Sequence, residues 1–352
     1  MRFKRKVAIL GATGTVGQRF IELLQNHPWF TIEVLAASKR SAGKKYKKAC
    51  NWMMNTKLPP KIAEMPVVNV DLESVKKAGN IDLIFSALPG GLAGPVESDF
   101  AKELPVFSKA SAHRMDSDVP LIIPEINPDH LKLISHQKRN RGWKGFISTD
   151  PNCSTIQLVI TLKPLMKFGL QSVTVSTMQA LSGAGYPGVA SLDITDNVIP
   201  LIRGEESKIE IEPRKILGDF TGSKINEASF VLSASCNRIN VKDGHLESVF
   251  VKLDQDPTVT EIKNAFIEFS GEPQKLGLPS APEKPIVVKN EPDRPQPRFD
   301  KNEGKGMSVT VGRIRKDPIF TLKYMCLGHN TIRGAAGGGI LSAELAIAKG
   351  IA

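Results

Sequence analysis

The opening of the chain constrains its fold most. Lys6-Val7-Ala8-Ile9-Leu10 is a short apolar run of the kind that forms a buried parallel strand, and it leads directly into Gly11-Ala12-Thr13-Gly14-Thr15-Val16-Gly17. Phe20, Ile21, Leu23 and Leu24 then recur at helical spacing. In a strand, glycine turn and helix in that order, the glycines let backbone approach a pyrophosphate and the helix start receives its charge. The spacing is GxxGxxG rather than GxGxxG, and any βα turn can carry glycines; the flanking strand and helix make this one a dinucleotide-binding start. Gly11, Thr13, Gly14, Thr15, Val16 and Gly17 are its candidate cofactor residues.

A second strand, Thr31 to Ala37, ends in Ser38-Lys39-Arg40-Ser41. An acidic residue at that edge would hold a ribose 2′-hydroxyl, whereas cations accommodate a 2′-phosphate, so the sequence favours NADP over NAD. Lys44, Lys45, Lys47 and Lys48 read as a solvated loop. Residues 81 to 87 form the next strand, and Ser86 with Leu88-Pro89-Gly90-Gly91 lies at the sheet edge where a nicotinamide would sit. Val106 and Phe107 continue the sheet into Ser108-Lys109-Ala110-Ser111-Ala112-His113-Arg114, small residues leading to a guanidinium suited to phosphate or carboxylate. Lys138 to Arg141 reads as a solvated face.

Near the middle of the chain, Asp150-Pro151-Asn152-Cys153-Ser154-Thr155 precedes Ile156, Leu158, Val159, Leu162, Leu165 and Met166 at helical spacing. Cys153 thus falls at a helix start, where unpaired amides and the dipole favour a thiolate. Ser172 to Leu181 alternates as a strand of a second sheet and ends in the loop Ser182-Gly183-Ala184-Gly185-Tyr186-Pro187-Gly188, which lets backbone approach a ligand. A helix running through Arg214, Lys215 and Leu217 carries so many charges that it reads as solvent-facing.

Phe230 to Arg238 and Leu246 to Leu253 read as a hairpin turning at Asp243-Gly244, which would put Arg238 opposite Val249 and Arg238 and His245 on one face. Residues 257 to 269 form an amphipathic helix, and the proline-rich segment 273 to 297 an extended arm suited to a subunit contact. Strands at 307 to 315 and 319 to 327 precede Asn330, and Gly337-Gly338-Gly339 opens a final helix over about 340 to 349. That helix is expected to return to the N-terminal sheet, its glycines allowing close approach to cofactor or sheet.

Composition narrows the function. At 352 residues, two domains are expected. Four dispersed cysteines without a CxxC pair argue against a zinc site or disulfide scaffold and fit a reducing compartment. The basic start, Met1 to Lys6, leads straight into a strand without a signal-peptide pattern, and no apolar run reaches about 18 residues, so a cytoplasmic protein is expected. The net charge of +11 fits anionic small molecules better than nucleic acid, since no nucleic-acid motif appears and aromatics make up only 6%.

Taken together, GATGTVG, Ser-Ala-His-Arg-Met-Asp through Val-Pro-Leu-Ile-Ile-Pro-Glu, Pro-Asn-Cys-Ser-Thr, Ser-Gly-Ala-Gly-Tyr-Pro-Gly, Glu-Glu-Ser-Lys and Arg-Ile-Asn-Val-Lys-Asp-Gly-His resemble the aspartate-β-semialdehyde dehydrogenases, in particular the archaeal and fungal branch, over almost the whole chain. The resemblance implies an α/β protein, with an N-terminal Rossmann-like doubly wound sheet formed by 1–152 with 331–352 and an α+β catalytic and dimerisation domain formed by 153–330. It implies Cys153 as acyl-accepting nucleophile, His245 as acid/base and Gln179 as orienting residue. Arg238 would bind the substrate carboxylate and Glu205 its amino group; Arg114 and Lys208 would form the phosphate site, with Asn152 beside the nucleophile. Ser38, Lys39 and Arg40 would hold the NADP 2′-phosphate, and Ser41, Ser86, Ser182, Gly183 and Asn330 would also contact the cofactor. Lys109 departs from the family, which commonly has Asn there. A homodimer or homotetramer acting on aspartyl phosphate is implied. Malonyl-CoA or succinyl-CoA reductases share the fold, and Glu205 and Lys208 favour aspartyl phosphate over them.

Overall fold

The computed structural model describes residues 4–352; Met1 to Phe3, part of the basic start, lie outside the described residues. Six strands form a wholly parallel sheet: β1 (Arg5–Leu10), β2 (Phe30–Ala37), β3 (Val67–Asn69), β4 (Leu83–Ser86), β5 (Pro105–Ser108) and β6 (Phe146–Thr149), in the order β3-β2-β1-β4-β5-β6. The chain moves outward from β1 in one direction and then returns to move outward in the other. That reversal leaves a crevice at the carboxyl ends of β1 and β4.

Phe20, Phe30, Phe85, Phe107 and Phe146 fill one side of this sheet, with ring centroids 4.9 to 6.1 Å apart along the series. The helix Gly337–Ala348 closes over them, buried from Gly337 to Ala346, with its two polar side chains matched inside, Ser342 to Asp150 and Glu344 to His27 and Ser280. Its glycines serve that packing: a Cβ at Gly339 would come 3.1 Å from the Phe20 ring and 3.0 Å from Asp150 Oδ2. Just before it, Arg333 makes a buried bidentate pair with Glu125, at 2.8 and 2.6 Å.

The second sheet is mixed. Its members are β7 (Leu170–Gln179), β10 (Val231–Arg238), β11 (His245–Leu253), β12 (Ile286–Val288), β13 (Val309–Lys316) and β14 (Leu322–Gly328), in the order β10-β7-β11-β14-β13-β12. The short strands β8 (Asp219–Phe220) and β9 (Ile225–Asn226) form a ribbon of their own. The expected hairpin is not there, because β7 lies between β10 and β11. Arg238 therefore pairs with Gln179, and Val249 with Val175. The connection 239–244 crosses the end of β7, tied by Leu181 N–H to Val241 O at 2.7 Å and Ser182 N–H to Lys242 O at 3.1 Å. The proline-rich arm is not wholly extended either: it contains the turn of helix Glu272–Lys275, and β12 pairs parallel to β13. Among the described residues no helix is long and apolar enough to cross a membrane, and no group of three side chains is suited to a metal ion.

Glu247 on β11 is wholly buried between Thr177 and Cys326. The Cys326 thiol donates to its Oε2 at 3.4 Å and Oε1 has no partner, so burial pushes its carboxyl up to about 8. A folded pKa above the unfolded value near 4.3 gives stability that is full below about pH 4.3 and lost as pH rises through 8. Glu247→Gln should therefore gain stability relative to the parent by roughly 3–5 kcal/mol between pH 5 and 9. Paired thermal melts across that range test this, and a difference that does not change with pH would refute it.

Candidate active site

The glycine turn sits at the crevice. Gly11 has φ +74°, and a Cβ there would come 2.6 Å from the Ala87 carbonyl, so only glycine lets β1 and β4 meet this closely. Gly14 begins the helix Thr15–Leu24, whose first amides receive no side-chain cap. These free N–H groups adjoin a cavity of about 620 Å³ lined by Gly11, Thr13, Gly14, Ser38, Lys39 and Arg40, with Asn69 to Asp71 and Ala87 to Pro89 opposite. An uncapped helix start, a glycine-only approach and a room of that size fit a dinucleotide. Lys39 and Arg40 are exposed and make no ion pair among the described residues. Thr15, Val16, Gly17 and Ser41 support the turn rather than line the cavity. Ser86 does not face the cavity at all: it is fully buried, and its hydroxyl donates to Glu97 at 2.6 Å.

Across the crevice, β6 runs through Asp150 and Pro151 into the helix Cys153–Leu162. Asn152 caps it, its Oδ1 accepting from the amides of Ser154 at 2.9 Å and Thr155 at 3.2 Å. The rest of Asn152 is held by the helix Glu205–Ile216: the side-chain amide donates to Glu205, and the backbone N–H to Glu212 Oε2 at 2.7 Å. Glu205, Glu212 and Lys215 are therefore buried, contrary to the solvent-facing reading of this helix. Lys215 Nζ donates to the carbonyls of Arg114, Asp116 and Val119 at 2.7 to 2.9 Å, which fixes the loop that carries Arg114. Arg114 in turn donates to Glu212 Oε1 and to the Lys109 carbonyl, both at 2.8 Å.

Cys153 Sγ lies 3.3 Å from His245 Nε2, which brings together residues 92 positions apart in the chain. His245 Nδ1 accepts from the Ala180 backbone N–H at 3.0 Å. An amide nitrogen cannot accept in return, so the neutral ring carries its proton on Nε2, directed at the sulfur. Burial, then Arg238 and His329, lower the imidazole pKa to about 3, so the ring is neutral above that pH. Burial also pushes the Cys153 thiol up to about 12, with Glu205 adding to the rise and Arg114, Lys109 and Arg238 opposing it. The resting sulfur is thus a thiol and not the thiolate expected from its helix position, because desolvation outweighs the helix start.

The family described as "Semialdehyde dehydrogenase, NAD binding domain" matches residues 6–134, and "Semialdehyde dehydrogenase, dimerisation domain" matches 162–333. An aspartate-semialdehyde dehydrogenase of Archaeoglobus fulgidus is 55% identical, over 98% of both chains. The chain belongs to the aspartate-semialdehyde dehydrogenase family. The Schizosaccharomyces pombe aspartate-semialdehyde dehydrogenase is 48% identical over 99% of both chains. The crystal structure of the Candida albicans aspartate-semialdehyde dehydrogenase with NADP superposes with a TM-score of 0.90 at 42% identity, covering 99% of this chain and all of that one.

In this member of the aspartate-semialdehyde dehydrogenase family, the remaining expected residues are held by near neighbours. Arg238 Nη1 donates to Ala180 O at 2.6 Å, and buried Gln179 donates to Thr177 Oγ1 at 3.3 Å. Lys208 pairs with Glu205 at 3.7 Å. Asn330 donates to Ser182 Oγ at 2.8 Å and accepts from Gly244 N–H at 2.9 Å, tying the strand ends together. Sequence reasoning missed Glu212 and Asp150; the spacing of Glu205 and Glu212, two helical turns apart on one face, was the signal for the first. At Gly183 a Cβ would come 2.9 Å from Arg238 Nη1 and 3.1 Å from His245 Cε1. Gly183→Ala should thus lower kcat/KM at least about 10-fold by displacing both side chains, with a melting temperature close to the parent's; steady-state kinetics beside a thermal melt check it.

Proposed function

We propose that this chain is an NADP-dependent aspartate-semialdehyde dehydrogenase that interconverts L-4-aspartyl phosphate and L-aspartate 4-semialdehyde through a thioester on Cys153. The observation that carries the reading is the contact of Cys153 with a neutral His245, in a chain that also has the glycine-lined cavity at the ends of β1 and β4. It rests also on the family and on the NADP named in the Candida albicans structure. The fit of the free helix start and of Lys39 and Arg40 to a phosphorylated dinucleotide supports NADP. When bound there, the nicotinamide accepts or returns a hydride.

The chain's own residues carry the rest. Cys153 Sγ bonds to the substrate carbonyl carbon, and the oxygen takes up negative charge within reach of the Nε2–H of His245. After hydride departure leaves a thioester, a phosphate oxygen attacks the carbonyl and Sγ leaves. Arg238 holds the substrate carboxylate and Glu205 its amino group, while Arg114 and Lys208 receive phosphate, with Gln179 and Asn152 keeping the acyl group in line. For His245 to take the thiol proton, the Ala180 amide must first release Nδ1, so that the ring's own proton can move there and leave Nε2 free to accept the proton from Sγ.

In the reductive direction the reaction would supply lysine, threonine, methionine and isoleucine biosynthesis, in the cytoplasm. Residues 1–152 with 331–352 would hold the cofactor, and 153–330 would supply catalysis and dimerisation. The exposed Leu192, Val198, Leu201 and the edge-strand residue Val231 offer apolar surface for a second copy in a homodimer or homotetramer. The relatives named above do not favour a malonyl-CoA or succinyl-CoA reductase.

A phosphate-dependent assay of NADP reduction by aspartate semialdehyde tests the reading. Cys153→Ser should abolish turnover, a loss on the order of 10³-fold or more. Turnover with malonyl-CoA in place of the semialdehyde would overturn the substrate assignment. Arg40→Asp should raise the KM for NADP about 10-fold or more and leave that for NAD nearly unchanged, since it removes a cation and adds repulsion at a 2′-phosphate.

A further inference from the structure

We propose that Lys109 is an anion-binding residue of this site, taking one oxygen of the phosphoryl group beside Cys153 while Arg114 takes another. The proposal rests on the function proposed above and adds a residue to it. Lys109 follows β5, and its side chain is only 7% exposed. The ammonium stands 3.1 Å from Asp150 Oδ2, yet neither atom closes a hydrogen bond. The other Asp150 oxygen accepts from Ser342 Oγ at 2.8 Å.

Arg114 shows the same deficit. Its two terminal nitrogens are engaged by Glu212 and by the Lys109 carbonyl, but its Nε is buried without an acceptor. Each cation has a carboxylate counterion, Asp150 for Lys109 and Glu212 for Arg114, yet two donor atoms of one loop, Lys109 Nζ and Arg114 Nε, are left without an acceptor away from water. Buried donors of this kind are rarely left unpaired, and an incoming oxyanion would supply the missing acceptors. Glu212 accepts from both Arg114 and the backbone N–H of Asn152, and Lys109 stands beside Asp150, so the two cations flank the segment that leads into Cys153.

A tetrahedral oxyanion offers several acceptors to one face, so it can satisfy Lys109 Nζ and Arg114 Nε together. The substrate carboxylate has a separate cation in Arg238, whose nearest partner is Ala180 on the opposite side of His245. The asparagine that the family resemblance leads one to expect here would present a neutral donor. Lys109 adds a charge, so the binding of phosphate should depend on it more than the binding of the aldehyde does.

The full-length enzyme is assayed for NADP reduction with phosphate and aspartate semialdehyde varied separately. Lys109→Met should raise the KM for phosphate 10- to 100-fold and change that for the semialdehyde less than 3-fold, and Lys109→Arg should recover most of the loss. In parallel, inorganic phosphate alone should slow alkylation of Cys153 by iodoacetamide in the parent and not in Lys109→Met. An unchanged phosphate KM together with unchanged protection would overturn the proposal and leave Lys109 as the counterion of Asp150. A parent enzyme without phosphate-dependent turnover would defeat the functional reading instead, and the alkylation experiment would still decide on Lys109. If Lys109→Met does not fold, Lys109→Gln, which keeps a donor next to Asp150 without the charge, carries the same comparison.

Discussion

Asn152 accepts two amide hydrogen bonds from the first turn of the helix that carries Cys153, while its own side-chain and main-chain N–H groups are taken up by Glu205 and Glu212. That knot of four hydrogen bonds sets where the sulfur stands. Glu212 then reaches Arg114, and Lys215 on the same helix grips the loop behind it. The cations around the sulfur are thus positioned by a helix of the second part of the chain acting on a loop of the first. Because the surroundings are nearly dry, each of these charges acts strongly on its neighbours, and an unmatched one is costly.

The resting site is consequently poised in a neutral form. A thiol and an uncharged imidazole cost little to bury, whereas a thiolate and imidazolium would each require compensation. The compensation available is cationic, from Arg114, Lys109 and Arg238. Those cations stabilise the negative charge that develops when Sγ meets an electrophilic carbon.

Much of this was legible in the sequence. Strands β1, β2, β4 and β5 of the first sheet, the glycine turn and the Asn152 cap follow from periodicity and local backbone chemistry, which are determined within a few residues, whereas the short strands β3 and β6 were not read. The pairing of β10 with β7 was not, because Asp243-Gly244 carries a hairpin signal whose partner strand depends on tertiary packing. The burial of Glu205, Glu212 and Lys215 was hidden for a related reason: each charge is matched by a group distant in sequence, Asn152, Arg114 and the carbonyls of 114–119 respectively. The state of Cys153 was misjudged because position at a helix start is a local property and desolvation is a global one. Ser86 failed likewise, since its hydroxyl answers Glu97 on a neighbouring helix.

The helix Gly337–Ala348 completes the core of a sheet whose first strand begins at Arg5. During synthesis, the aromatic face of Phe20, Phe85 and Phe107 therefore stays uncovered until this helix, far downstream of the strands it covers, has been made. Until then the nascent chain carries a sticky, half-built sheet.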